Sequence, residues 1–224
     1  MQVIDKRCLV DVQQLGHVYG TAGGAERVVL DDVCMRLNEG EIVGLLGRSG
    51  SGKSTLLRSI AGLISPTTGA VEFPADAQGV SSSVRMVFQS FALFPWLTVL
   101  KNVEIGLEAL NVAAPERRRR ALAAIDMIGL DGFESAFPKE LSGGMRQRVG
   151  LARALVVAPD IILMDEPFSA LDVLTAETLR TDLLELWCEG RMPIKSMLMV
   201  THNIEEAVLM CDRILIFPPI PGGS

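Results

Sequence analysis

Short apolar runs alternate with amphipathic stretches along this chain, and the two periods separate strands from helices. Residues 9–13 and 28–37 read as strands, joined by Gly20-Thr21-Ala22-Gly23-Gly24. Glu41-Ile42-Val43-Gly44-Leu45-Leu46 is a short buried strand, and Leu56-Leu57-Arg58-Ser59-Ile60-Ala61-Gly62-Leu63 reads as a helix. Residues 69–73 and 84–88 read as further strands. From about residue 98 to 155 the periodicity turns helical. There Pro115 suits a first helical turn, Ala121, Leu122, Ile125 and Ile128 supply an apolar face, and Gly129 supplies a stop. Strands return at 161–164, 196–200 and 213–217, with a helix over 203–210. Alternating strands and helices imply a parallel sheet, with a helical lobe inserted into an α/β core.

The 224 residues are 49% apolar, enough for one large α/β domain or a domain with an inserted lobe. A net charge of −6 and a pI near 5.0 argue against a nucleic-acid surface. The run Arg117 to Arg120 therefore reads as a solvated helix face before it reads as a nucleic-acid patch. No uncharged apolar stretch approaches the ~18 residues a membrane span needs. Met1-Gln2-Val3-Ile4-Asp5-Lys6-Arg7 lacks the apolar run of a secretion signal, so a cytoplasmic protein is expected. Cys8, Cys34, Cys188 and Cys211 form no C-x-x-C pair and are expected as reduced, partly buried thiols. The histidines are His17 and His202, too few to suggest a histidine metal site.

Gly47-Arg48-Ser49-Gly50-Ser51-Gly52-Lys53-Ser54-Thr55 fits G-x-x-x-x-G-K-[ST], between a strand and a helix. Glycines there let backbone N–H groups curl around phosphate oxygens, and the helix start adds unpaired donors. Lys53 suits the β- and γ-phosphates, and the Ser54 hydroxyl suits Mg²⁺. Downstream, Ile161-Ile162-Leu163-Met164-Asp165-Glu166 is an apolar strand ending in two carboxylates. Such a strand presents them at its C-terminal edge, where α/β sheets bind ligands. Asp165 suits metal support and Glu166 suits a general base. In Leu141-Ser142-Gly143-Gly144-Met145-Arg146-Gln147-Arg148, Ser142 can cap a helix whose start exposes backbone amides, a second phosphate-binding terminus. Read alone, it is also an ordinary capped helix.

Together these strings resemble the ATP-binding cassette (ABC) ATPases over essentially the whole chain. Gly47 to Thr55 and Ile161 to Glu166 look like their Walker A and B motifs, and Leu141 to Gln147 looks like their signature motif. Gln89 matches the Q-loop glutamine, Ser169-Ala170-Leu171-Asp172 the D-loop, and Thr201-His202 the switch histidine. Tyr19 falls where the family places an aromatic residue under adenine, although the sequence also allows a core tyrosine.

The resemblance implies a P-loop, RecA-like core with an N-terminal antiparallel β subdomain and an α-helical subdomain. The division it suggests is 1–90 with 156–224, and 91–155 for the helical part. It implies Mg²⁺ and ATP clamped between two head-to-tail cassettes. Walker A of one copy is then covered by Ser142, Gly143 and Gly144 of the other, with Asp172 ordering the opposing site. Gln89 would sense Mg²⁺ and water and report to a membrane partner, while His202 would hold the γ-phosphate and the attacking water. A lone monomer is expected to turn over poorly.

After Gln89 comes Phe91-Ala92-Leu93-Phe94-Pro95-Trp96-Leu97-Thr98-Val99-Leu100-Lys101-Asn102-Val103, unusually apolar for a loop. It reads as a dock for a partner helix, or as rings filling a joint between lobes. Leu93 to Val103, with His202-Asn203-Ile204-Glu205-Glu206-Ala207, looks like cassettes of the nitrate, sulfonate and taurine import group. That resemblance implies permease subunits in the membrane, a solute-binding protein behind them, and a cassette on the inner face of the cell membrane. An exporter or lipid-trafficking cassette is the nearest alternative. A non-transport cassette acting on DNA or ribosomes is disfavoured by the acidic charge and by the lack of a long coiled-coil insert.

Some positions depart from the family pattern. Arg48 puts a cation in the phosphate loop, with phosphate or solvent as its partner. Lys101 stands where a capping box would have an acid, which is expected to soften the helix start at Thr98. Gly150 sits within a helix at a cost of roughly 1 kcal/mol. The ending, Phe217-Pro218-Pro219-Ile220-Pro221-Gly222-Gly223-Ser224, suggests a shortened chain or a missing regulatory tail.

Overall fold

The structure is a computed structural model that describes residues 6–20 and 26–218. The turn Thr21-Ala22-Gly23-Gly24 and the ending at Gly222-Gly223-Ser224 lie outside the described residues. The chain divides into two compact units. One takes the described residues up to Val84 and again from Lys195, and the other runs from Arg85 to Ile194.

The first unit carries an antiparallel sheet in the order β2(Glu26–Asn38)-β1(Cys8–Gly20)-β4(Thr68–Glu72). Both long strands exceed the lengths expected from their apolar runs. Gln13 and Gln14 break the alternation, yet β1 continues through them by shifting register between Val12 and Leu15. Gln14 takes a positive φ of 47° at this irregularity, which returns Leu15 to the core side.

Beside it, β3(Ile42–Gly47) runs parallel to β7(Ser196–Thr201) on one side and β8(Arg213–Phe217) on the other. β7 is buried along its whole length and β3 up to Leu45, as expected of strands covered on both faces. Helix α1(Lys53–Ile60) follows β3 and buries Leu56, Leu57 and Ile60. Gly44 lets α6(Ile204–Met210) approach β3, because a Cβ there would lie 2.7 Å from Cys211 Sγ. Burial pushes the Cys211 thiol up to about 12, with the Asp212 charge adding to it. Cys34 and Cys188 are exposed, a correction to the expectation of partial burial.

In the second unit, β5(Val84–Val87) neighbours β6(Ile161–Asp165). The remainder is helical: α2(Val99–Ala109), α3(Ala114–Met127), α4(Gly143–Leu155) and α5(Val173–Cys188). The buried stripe of α3 is Ala121, Ala124, Ile125 and, just past its end, Ile128. Leu122 is exposed, contrary to expectation, since the i, i+3, i+4, i+7 stripe from Ala121 leaves it about 100° round the helix. Gly129 takes φ 68° after the helix, the stop that was expected. Of the arginine run, Arg119 and Arg120 both pair with Glu116 at 2.7 Å.

Candidate functional site

Each unit contributes its own set of candidate groups. In the first, the chain leaves β3 at Gly47 and turns through an exposed Arg48, Ser49 and Gly50 before entering α1. Gly52 is the helix N-cap, with φ 93° and no side-chain cap. A Cβ on Gly52 would lie 2.6 Å from Val29 O and 2.8 Å from Leu30 Cδ2, so only glycine fits that approach of loop to strand. The first turn of α1 carries no acid, so no carboxylate neutralises the positive end of its dipole.

Lys53 is buried within the loop. Its ammonium donates to Gly47 O at 2.8 Å, Arg48 O at 2.7 Å and Ser51 Oγ at 3.2 Å. Those bonds hold the ammonium against the loop's own oxygens. Ser54 is half-buried and Thr55 buried beside it.

His202 leaves the end of β7 exposed, on a tightly bonded corner. Thr201 Oγ1 donates to the buried Glu206 at 2.6 Å and accepts from Asn203 N at 3.0 Å. Asn203 Oδ1 caps α6 by accepting from Glu205 N and Glu206 N. The residues on both sides of His202 are therefore fixed before its ring does anything. Tyr19, on β1, is 40% exposed, which excludes a core tyrosine.

The second unit holds the carboxylates. Asp165 ends β6 and is buried; Glu166 follows with φ 47°, a left-handed conformation that costs a non-glycine residue of order 1 kcal/mol or more. Gln89 Nε2 lies 3.4 Å from Glu166 Oε2 and 3.1 Å from Ser169 Oγ, and Ser169 Oγ donates to Glu166 O at 2.9 Å. Gln89 and Glu166, 77 residues apart, thus share Ser169 as a common hydrogen-bond partner. Ser169 was not singled out from the sequence as a site residue. The available signal was a serine three positions after an acid, the spacing of a local hydroxyl turn.

In the same unit Ser142 caps α4, accepting from Met145 N at 3.2 Å, and Asp172 caps α5, accepting from Thr175 N at 3.0 Å. The two helix starts are packed together: a Cβ on Gly144 would lie 2.4 Å from Thr175 Cγ2, and one on Gly143 would lie 3.4 Å from Leu171 Cδ2. Hydrogen bonds from Thr175 hold the Asp172 carboxyl below the usual aspartate range.

The segment after Gln89 is organised from within the unit. Phe91 and Ala92 have φ 54° and 47°, and Arg153 holds both carbonyls, Ala92 O at 2.6 Å and Phe91 O at 3.3 Å. Arg146, on the same helix, lies over the Phe91 ring at 5.3 Å. Asn102, fully buried, accepts from Phe94 N at 2.8 Å and reaches the carbonyls of Phe94, Leu97 and Thr98 at 2.9–3.1 Å. Trp96 stands on that loop 69% exposed.

The start of α2 is not soft, a correction to the reading from Lys101. Thr98 Oγ1 caps Lys101 N at 3.3 Å, while Val99 N and Leu100 N donate to Ala136 O and Glu134 O. Those carbonyls satisfy two first-turn N–H groups that have no partner within the helix. Lys101 instead pairs with the buried Glu104 at 2.7 Å.

Residues 30–169 match the ABC transporter family. The chain is 42% identical over 214 residues to the nitrate import ATP-binding protein NrtD of Synechocystis sp., covering 95% of this chain and 79% of that protein. It is 46% identical over 211 residues to the taurine import ATP-binding protein TauB of Burkholderia pseudomallei, covering 94% and 80%. Among solved structures it is similar to the dimeric, post-hydrolysis ATP-binding cassette MJ0796 bound to ADP and Pi. The TM-score there is 0.79 at 35% identity, over 93% of this chain and 94% of that one.

Proposed function

The chain belongs to the ABC transporter family, and on that premise we propose that it is the ATP-hydrolysing subunit of an importer for a small anion. It is an ATPase of the cassette type, with the P-loop fold of that family. The observation that carries the functional reading is the uncapped start of α1, with Lys53 buried among the loop carbonyls and no acid in the first turn. A buried cation beside a helix start on a glycine turn suits the phosphates of a nucleoside triphosphate.

The residues are assigned as follows. Gly47, Arg48, Ser49, Gly50, Ser51 and Gly52 wrap the phosphates, Lys53 neutralises them, and Thr55 supports the loop. Tyr19 stacks on adenine. Glu166 takes a proton from the attacking water, with Gln89 orienting that water, and His202 holds the γ-phosphate. The donor set fits Mg²⁺, a hard cation that prefers oxygen: the Ser54 hydroxyl, the buried Asp165 carboxylate and the Gln89 amide oxygen would hold it. When bound, the ion neutralises charge on the phosphate oxygens.

Two copies work head to tail. Ser142, Gly143 and Gly144 of one close over ATP on the loop of the other, and Asp172 orders the seam. The dimeric relative MJ0796 supports this arrangement. A permease in the membrane docks at Trp96, and a solute-binding protein delivers the anion to it. The two import relatives support nitrate- or sulfonate-like cargo, and the cassette then sits on the cytoplasmic face of the membrane. Among the described residues no helix is long and apolar enough to cross a membrane.

The test is the oligomeric state of Glu166→Gln with Mg-ATP. A stable dimer that reverts to monomer on nucleotide removal is expected. A monomer at saturating Mg-ATP overturns the clamp. For the cargo, deletion of the gene should abolish uptake of nitrate or taurine and leave amino-acid uptake intact.

A further inference from the structure

Two rings meet at the far end of β1. His17 is 9% exposed and Tyr19, two residues on, is 40% exposed. Their centroids are 4.4 Å apart and their planes 74° apart, an edge-to-face pair. The buried ring thus lies directly against the exposed one. His17 Nδ1 has no hydrogen-bond partner among the described residues, so a bond at that nitrogen does not set the ring's place.

The backbone does not fix Tyr19 by itself, because the β1–β2 ladder shifts register between Leu15 and His17 and again between His17 and Val18. What fixes it is on the inner side. His17 pairs with Leu30 across the ladder, and cross-strand partners share a face. Leu30 in turn borders the phosphate loop, its Cδ2 lying where it would be 2.8 Å from a Cβ on Gly52. A packed path thus runs from Gly52 through Leu30 and His17 to the Tyr19 ring.

We propose that His17 is a positioning residue for the nucleotide base: through its ring it sets the Tyr19 ring at a fixed distance from the phosphate loop. A nucleotide is then measured from phosphate to base by this one strand pair. The inference rests on Tyr19 being the adenine platform. It adds that the platform's position, and hence preference for a purine-bearing triphosphate over a bare one, depends on a buried ring that never touches ligand.

The experiment measures equilibrium binding of Mg-ATP and of inorganic tripolyphosphate with Mg²⁺ to the whole chain. The variants are Tyr19→Ala, His17→Ala and His17→Phe, with thermal melts recorded alongside. Tyr19→Ala should weaken ATP about tenfold and leave tripolyphosphate unchanged. His17→Ala should weaken ATP roughly three- to tenfold, the range of one aromatic contact, again with tripolyphosphate unchanged. His17→Phe should restore ATP binding, since packing and not the imidazole nitrogen is used. If Tyr19→Ala binds ATP normally, the adenine platform is wrong and the inference falls with it. If Tyr19→Ala is weak while His17→Ala binds ATP normally, the platform stands and the role of His17 is overturned. Equal weakening of ATP and tripolyphosphate by His17→Ala, or no rescue by His17→Phe, also overturns it.

Discussion

Gln89 places its side-chain amide 3.4 Å from the carboxylate of Glu166, across a gap of 77 residues in the chain. The loop that follows Gln89 carries the exposed Trp96, so a short run of chain and the Gln89–Glu166 contact link the residue proposed to meet the membrane partner to the proposed base. If Glu166 is the base, its loss should spare ATP binding and lower hydrolysis by ~10²–10⁴-fold. Phosphate release by Glu166→Gln, set against its ATP affinity, checks this. Near-normal turnover removes Glu166 from the role.

Much of this site was readable in the chain because its pieces are local. A glycine turn between a strand and a helix, an apolar strand ending in acids, and a serine before two glycines each carry their geometry within ten residues or so. The strands β6, β7 and β8 were legible for the same reason, being unbroken apolar runs. What could not be read depends on distant partners. The Gln89–Ser169–Glu166 cluster joins residues on different elements. The start of α2 is completed by carbonyls of Glu134 and Ala136, which no local pattern announces. β1 was read as ending at Gln13 because its alternation fails there, and the register shift that rescues it is invisible to periodicity.

Trp96 and Asn102 separate docking from folding. Trp96 is exposed, so Trp96→Ala should leave the melting temperature and the ATPase rate of the purified chain within error. It should cut substrate uptake in the assembled transporter severalfold, since exposed aromatic anchors dominate small interfaces. Asn102→Ala leaves the Phe94 N–H without its acceptor and removes the amide that ties the Phe94, Leu97 and Thr98 carbonyls together, and should cost about 1–3 kcal/mol in urea unfolding. An uptake defect in Trp96→Ala matched by an equal loss of stability would refute the docking role.

Glu116 gives a pH signature. Hydrogen bonds from Arg119 first, and Arg120 second, pull its carboxyl from an ordinary 4.5 to about 2. A depressed carboxyl stabilises the fold above its unfolded value and loses that contribution as pH falls through the folded one. The melting-temperature gap between the native chain and Glu116→Gln should therefore be level above pH 5, shrink below about 4.5 and close near pH 2. The gap should be small and should narrow with added salt, because Glu116 sits in solvent. A gap that widens on acidification would contradict the pairing.

Two glycines should respond to alanine in opposite ways. Gly150 lies inside α4, and a Cβ there would meet Phe91 O at 3.5 Å, an ordinary contact. Helical glycine carries an entropy cost that alanine removes, so Gly150→Ala should raise stability by about 0.5–1 kcal/mol. Gly69 lies in β4 with φ +73°, and a Cβ there would fall 2.2 Å from Gln14 O and 2.4 Å from Gln13 O. Those atoms are backbone on the strand that already bulges at Gln14, so they cannot swing aside as a side chain would. Gly69→Ala pays for both the clash and the left-handed conformation and should lose about 2 kcal/mol or more. Chemical denaturation of the two variants decides it: Gly69 packs against β1, the strand that also carries His17 and Tyr19, so its loss should weaken ATP binding too, while Gly150→Ala should not.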